Sequence, residues 1–158
     1  MLLGVFIYLQ NKKEPLNKAY LGLSLCSAIW SFGFFALLSS STLETAYYWR
    51  WFMESGSILI PAFWLNFVLI FLNLAKKKRG ILMFGYVISI ALWLLNLIDF
   101  FVHGIFAIEI VKKGIFNFYP TAGIGYILFF IFFFGTVFYT LRELAKSYKT
   151  SDGIRSQQ

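Results

Sequence analysis

The chain has 158 residues, of which 59% are hydrophobic, 22% aromatic and 13% charged. A soluble domain carries roughly twice that charged fraction, and here the apolar residues form long blocks broken by short basic stretches, which excludes an ordinary soluble globule. The net charge of +7 does not read as a nucleic-acid groove, because the Lys and Arg residues sit between the apolar blocks, where they carry membrane-topology information.

The elements follow in chain order. Residues 1–10 are apolar but too short to cross a bilayer core of ~30 Å, which needs ~20 residues; they read as the tail of a span that begins upstream, through a fragment or a late start. Gln10–Lys18 is polar. Full spans are expected at about 19–38, 47–74, 81–102 and 123–144, within a four-span bundle over 11–144. The loop 103–122 joins the last two, and 145–158 forms a polar cytoplasmic tail leading to a missing C-terminal part. In the loop, Ile108-Glu109-Ile110-Val111 and Ile115-Phe116-Asn117-Phe118-Tyr119 flank Lys112-Lys113-Gly114, the signature of a small hairpin. The fold class is therefore an all-α integral membrane protein, a polytopic helical bundle with a small extracytoplasmic β-hairpin-like loop.

Eleven basic residues fall on one side of this layout: Lys12, Lys13, Lys18, Lys76, Lys77, Lys78, Arg79, Arg142, Lys146, Lys149 and Arg155. Arg50, Lys112 and Lys113 fall on the other. The positive-inside rule puts the eleven in the cytoplasm. The result is a multi-pass inner (plasma) membrane protein with the hairpin outside and the C-terminus inside.

Ionisable residues within spans are costly and usually face the bundle interior in pairs. Arg50, Glu54, Ser57 and Pro61 recur at offsets of four, seven and eleven, so they share one face of the third helix. Arg50 and Glu54 can pair at i, i+4, and Pro61 breaks the helical ladder locally. On the fourth helix Asn96, Asp99 and His103 share a face. Convergence of the two faces near the outer leaflet has two readings: a small polar pocket opening outward under the hairpin, which would receive a small ligand, or an interhelical polar clamp with an interfacial rim. His103 has no second His or Cys at metal-ligand spacing. Asn66 and Asn73 are expected to bond across helices, and Ser24, Ser27 and Ser31 to form a close-packing stripe. Trp30, Trp49, Trp51 and Trp64 include interface anchors. Cys26 reads as a small buried apolar residue. No catalytic, cofactor-binding or metal-binding constellation can be read from the chain.

Asn17 entering a span with Trp30 late in it, then Tyr48-Trp49-Arg50, Pro61 and Phe67, resembles the seven-transmembrane N-terminal sensor region of bacterial histidine kinases. So do Tyr119-Pro120, Gly123, Gly125-Tyr126, Leu128-Phe129 and a polar tail with Arg155 and Gln157. The resemblance implies a non-enzymatic membrane input module in the lipid bilayer, working as a homodimer and relaying a signal to a cytoplasmic output domain. A small transporter or channel subunit, or a non-sensing membrane scaffold, is the alternative; the ionisable residues gather near one end of the spans rather than forming a path through them, which disfavours a conduit.

Overall fold

The computed structural model describes residues 1–114 and 116–155; Ile115 of the expected second strand and Gln157 of the tail lie outside them. The described residues form six helices, α1 (Leu2–Gln10), α2 (Pro15–Leu38), α3 (Leu43–Ser57), α4 (Ile60–Phe71), α5 (Arg79–Val102) and α6 (Ile124–Arg155), with two strands, β1 (Ala107–Lys113) and β2 (Phe116–Ala122), between α5 and α6. With α3 and α4 taken as one rod, four helical stretches are long and apolar enough to cross a membrane: Pro15–Leu38, Leu43–Phe71, Arg79–Val102 and Ile124–Lys149. Large apolar side chains cover their outer surfaces, among them Phe35, Phe84, Val87, Ile131 and Phe138, as a surface facing lipid requires.

Local chemistry explains the boundaries. Pro15 opens α2 earlier than the hydropathy suggested, since its fixed φ suits the first helical position. The Asn17 amide donates to the Ile7 and Asn11 carbonyls, tying the start of α2 to the end of α1. Thr42 caps α3, its Oγ1 accepting the Thr45 N–H. The third span is not continuous: Pro61 lacks the N–H that would reach Ser57, and the chain changes from α3 to α4 at Ile58–Leu59. The break exposes the Ile58 carbonyl, which accepts the hydroxyl of Ser89 on α5 at 3.1 Å.

The span also ends earlier than expected. Asn73 takes a left-handed conformation (φ 56°), its N–H bonds the Ile70 carbonyl, and the Leu74 N–H bonds the Leu69 carbonyl. This is a Schellman closure, so Asn73 ends the helix instead of bonding across to a neighbour. At the other terminus, the polar tail continues α6 as helix to Arg155.

The closest helix contact is α2 on α3, and glycines make it. A Cβ at Gly33 would lie 2.7 Å from the Met53 Cα, and one at Gly56 would lie 2.8 Å from the Cys26 carbonyl oxygen. Ser24 of the serine stripe packs closely on Gly4 of α1, where an added Cβ would lie 2.6 Å from the Ser24 side chain. Substituting Gly56→Val must push two backbones apart. An expected loss of about 1–3 kcal/mol in unfolding free energy follows, measurable by denaturant titration in detergent micelles, with Gly80→Ala, which meets open space, as the near-neutral control.

The strands pair antiparallel, with Ile110 opposite Pro120, Val111 opposite Tyr119 and Lys113 opposite Phe116. The Thr121 hydroxyl bonds both the N–H and the carbonyl of Glu109. At the base of the hairpin, the Gly123 and Gly125 N–H groups donate to the Phe106 and Ile105 carbonyls, each at 2.8 Å. A Cβ on Gly123 would sit 2.5 Å from the Ile105 oxygen, so this approach requires glycine.

Candidate functional site

The polar residues on α3 and α5 meet. Arg50 Nη1 lies 2.6 Å from Glu54 Oε2, one turn along α3, and 2.6 Å from Asp99 Oδ2 on α5. All three side chains are at most 1% exposed. The i, i+4 spacing places the first pair, and the packing of α3 on α5 supplies the second carboxylate. Asn96, one turn before Asp99, donates to the Trp51 carbonyl and the Ser55 hydroxyl. The Ser57 hydroxyl donates to the Glu54 carbonyl, and Pro61 is buried just beyond the helix break.

Arg50, Glu54, Asn96 and Asp99 fill the space between α3 and α5. The geometry is that of an interhelical clamp, with one guanidinium between two carboxylates. Arg50 Nε and Glu54 Oε1 have no hydrogen-bond partner among the described residues, so the cluster is satisfied only in part. Tyr47 stands near the guanidinium, its ring centroid 5.9 Å from Arg50 Cζ.

His103 departs from the expected face. It lies beyond the end of α5 with φ 58°, exposed, and its ring stacks on Tyr47 at 4.9 Å between centroids. Its N–H donates to the Asp99 carbonyl. Helix α5 ends at Val102, so the offset of seven from Asn96 no longer describes a helical face there.

Two features of this region were not singled out in the sequence. Asp99 Oδ1 accepts the N–H of Ile105 at 2.6 Å, which joins the ion cluster to the root of the hairpin. Phe106, 1% exposed, then anchors that root in a core with Ile58, Leu92 and Phe129. Farther along the hairpin, Ile110 and Phe118 pack on a second core formed by Leu37, Ala46 and Met53. A chain of contacts thus runs from the hairpin through Ile105 and Asp99 to Arg50 and the broken third span. The signal available in the sequence was Gly123 and Gly125, whose close approach to Ile105 fixes the hairpin's base.

The opposite end of the bundle holds a second charged group. Lys78 Nζ lies 3.0 Å from Glu143 Oε1 on α6, and Lys146 Nζ lies 3.6 Å from the same oxygen. Lys78 also stands over the Tyr139 ring, 5.3 Å from its centroid. Hydrogen bonding to Tyr139 first, and then to Glu143, raises the Lys78 pKa above the ordinary lysine value. A raised folded-state pKa stabilises the fold below the unfolded lysine value of about 10.4, and that contribution disappears as pH rises through the folded-state value. The difference in unfolding midpoint between wild type and Lys78→Met should therefore be constant at neutral pH and shrink only in the alkaline range. Nearby, Trp64 Nε1 donates to Thr140 Oγ1 at 2.9 Å. Trp64 thus ties α4 to α6. Cys26 is buried, as its position suggested.

A cavity of about 960 Å³ lies beside the clamp, between α2, the α3–α4 rod, the hairpin and α6. Ser57 and Met53 belong to its wall, so α3 presents its ions to α5 and a neighbouring edge to the cavity.

A family model described as the N-terminal 7TM region of histidine kinase matches residues 1–158. No curated protein and no solved structure matches the chain.

Proposed function

Because the chain belongs to the family of N-terminal seven-transmembrane regions of histidine kinases, we propose that it is the membrane-embedded sensory input domain of a signal-transduction protein. It receives an extracytoplasmic or membrane-borne signal and relays it to a cytoplasmic output in the full-length protein. The observation that carries this reading beyond family membership is the hydrogen bond from Ile105 to Asp99, which couples the hairpin to a buried ion cluster. A stimulus shifts such a domain only by binding one helix arrangement better than another. The cluster supplies an element with two arrangements: one guanidinium serves two carboxylates, and Glu54 Oε1 is unpaired among the described residues. Adjacent to it, the break before Pro61 interrupts the rod that carries Arg50 and Glu54 toward the other side of the membrane.

In this reading the bilayer surrounds the four spans, the basic loops and the C-terminus are cytoplasmic, the hairpin is extracytoplasmic and the assembly is a homodimer. Two measurements test it. With Cys26 replaced by alanine, a membrane-impermeant maleimide added to intact cells should label Lys112→Cys and leave Lys77→Cys unlabelled; the reverse pattern overturns the orientation. In the full-length protein reconstituted in vesicles, Glu54→Gln leaves Arg50 matched with Asp99 alone. It should change basal autophosphorylation of the kinase by at least about fivefold, the scale of a coupling free energy of 1 kcal/mol. Unchanged autophosphorylation in a folded variant would sink the relay.

A further inference from the structure

The cavity beside the clamp is built unlike a solvent-filled cleft. Its walls are aromatic and aliphatic, with Trp30 and Phe34 from α2, Met53 and Ile60 from the third span, and Tyr126, Phe129, Phe130 and Phe133 from α6. At the hairpin end the lining changes to Val111, Lys113, Tyr119, Pro120 and Thr121. Lys113 is the charged residue among the described residues lining it, and no carboxylate accompanies it there. Its ammonium sits 4.4 Å from the centre of the Tyr119 ring, a contact that holds the cation at the cavity mouth while leaving its N–H donors usable.

The aliphatic hydroxyls of the lining each donate to a backbone carbonyl. Ser27 donates to the Leu23 carbonyl, Ser57 to the Glu54 carbonyl and Thr121 to the Glu109 carbonyl. The wall therefore offers apolar surface over most of its length and one positive charge at one end. From Tyr126 to Phe133 the α6 side of the wall runs for roughly 10 Å at 1.5 Å per residue, and Pro120, Thr121 and Ala122 of the hairpin extend it toward Lys113. Trp30 and Phe130, 44% and 45% exposed, border it on the outer surface of the bundle, where a molecule dissolved in the bilayer can enter sideways.

We propose that this cavity binds a single-chain amphiphile with a carboxylate head, a medium- or long-chain fatty acid, with its head on Lys113 and its tail along Phe129 and Phe133. The apolar walls exclude a polar solute, and the cation selects an anionic head over a neutral or positive one. The bound tail would lie against Met53 and Ser57, on the helix that carries Arg50 and Glu54. Its action as a stimulus rests on the sensory reading above; its binding does not.

The test uses the full chain in phosphatidylcholine nanodiscs, with quenching of Trp fluorescence by a nitroxide-labelled dodecanoate and competition by unlabelled dodecanoate, dodecanol and dodecyltrimethylammonium. Quenching should saturate, dodecanoate should compete best, and Lys113→Gln should weaken dodecanoate about tenfold without altering dodecanol. Lys112→Gln, whose side chain is not in the lining, should change neither. Filling the cavity with Ser27→Phe, or independently with Ala122→Phe, should abolish saturable quenching while the unfolding midpoint shows a folded bundle. Partition into the bilayer only, seen as linear quenching that is equal in wild type and both filled variants, overturns the proposal. So does equal competition by the quaternary ammonium. If binding holds but dodecanoate leaves autophosphorylation of the full-length protein unchanged, the site stands and its role as the stimulus site fails.

Discussion

Arg50→Met is expected to destabilise the bundle by about 3–5 kcal/mol. The reason is electrostatic. Removing the guanidinium leaves Glu54 and Asp99 facing each other with both carboxylates buried, and a buried charge without a partner loses its hydration with nothing in return. The pair is not stabilising in the same measure, because assembling three buried ions also costs their hydration. Replacing the whole cluster should therefore recover most of the loss. In the triple variant Arg50→Met, Glu54→Leu, Asp99→Asn, the asparagine keeps an oxygen for the Ile105 N–H while the charges vanish. Equilibrium unfolding in micelles should rank the triple variant close to wild type and Arg50→Met far below it. If the triple variant is as unstable as Arg50→Met, the charge imbalance is not the cause and packing around residue 50 is.

Asp99→Leu carries the second large expected effect, about 2–4 kcal/mol, by a different route. Asp99 holds Arg50 with one oxygen and the backbone of Ile105 with the other. Leucine removes both contacts, and the stranded Ile105 N–H frees the root of the hairpin. Asp99→Asn separates these roles. It retains an acceptor for Ile105 and leaves Arg50 with Glu54, a matched pair, so its cost should stay within about 1 kcal/mol. Amide hydrogen exchange reads the difference locally. Exchange across β1 and β2 should quicken strongly in Asp99→Leu and little in Asp99→Asn, whereas equal exchange in the two variants would show that Phe106 and the glycine contacts, not Asp99, hold the hairpin. On the sensory reading proposed above, loss of coupling through Ile105 should also separate hairpin perturbations from autophosphorylation of the full-length protein.

By itself the sequence determined what rests on local pattern and composition. Four apolar stretches of sufficient length, separated by polar loops, set the number of span-capable helices because crossing a bilayer is a matter of length and hydropathy. The i, i+4 relation of Arg50 and Glu54 was equally readable, since helix geometry fixes it. So was the break before Pro61, a consequence of the missing N–H. The hairpin followed from strand-forming runs around Gly114, whose φ of 61° suits glycine.

Tertiary structure decided the rest. That Asp99 shares Arg50 depends on how α3 rotates against α5, and the glycine contacts at Gly33 and Gly56 that position α3 on α2 are set across the interface, not along the chain. Asn73 shows the limit in the other direction: its spacing from Asn66 suited a helix face, yet it closes α4 in a left-handed turn whose N–H groups satisfy the last carbonyls of the helix. His103 left its face for the same kind of reason, once α5 ended at Val102. The cavity has no counterpart in any sequence pattern, because its walls come from α2, the third span, the hairpin and α6 together. Periodicity tells each helix which face is polar. Only packing determines whether that face meets a partner, as Arg50 meets Asp99, or borders a space, as Ser57 borders the cavity.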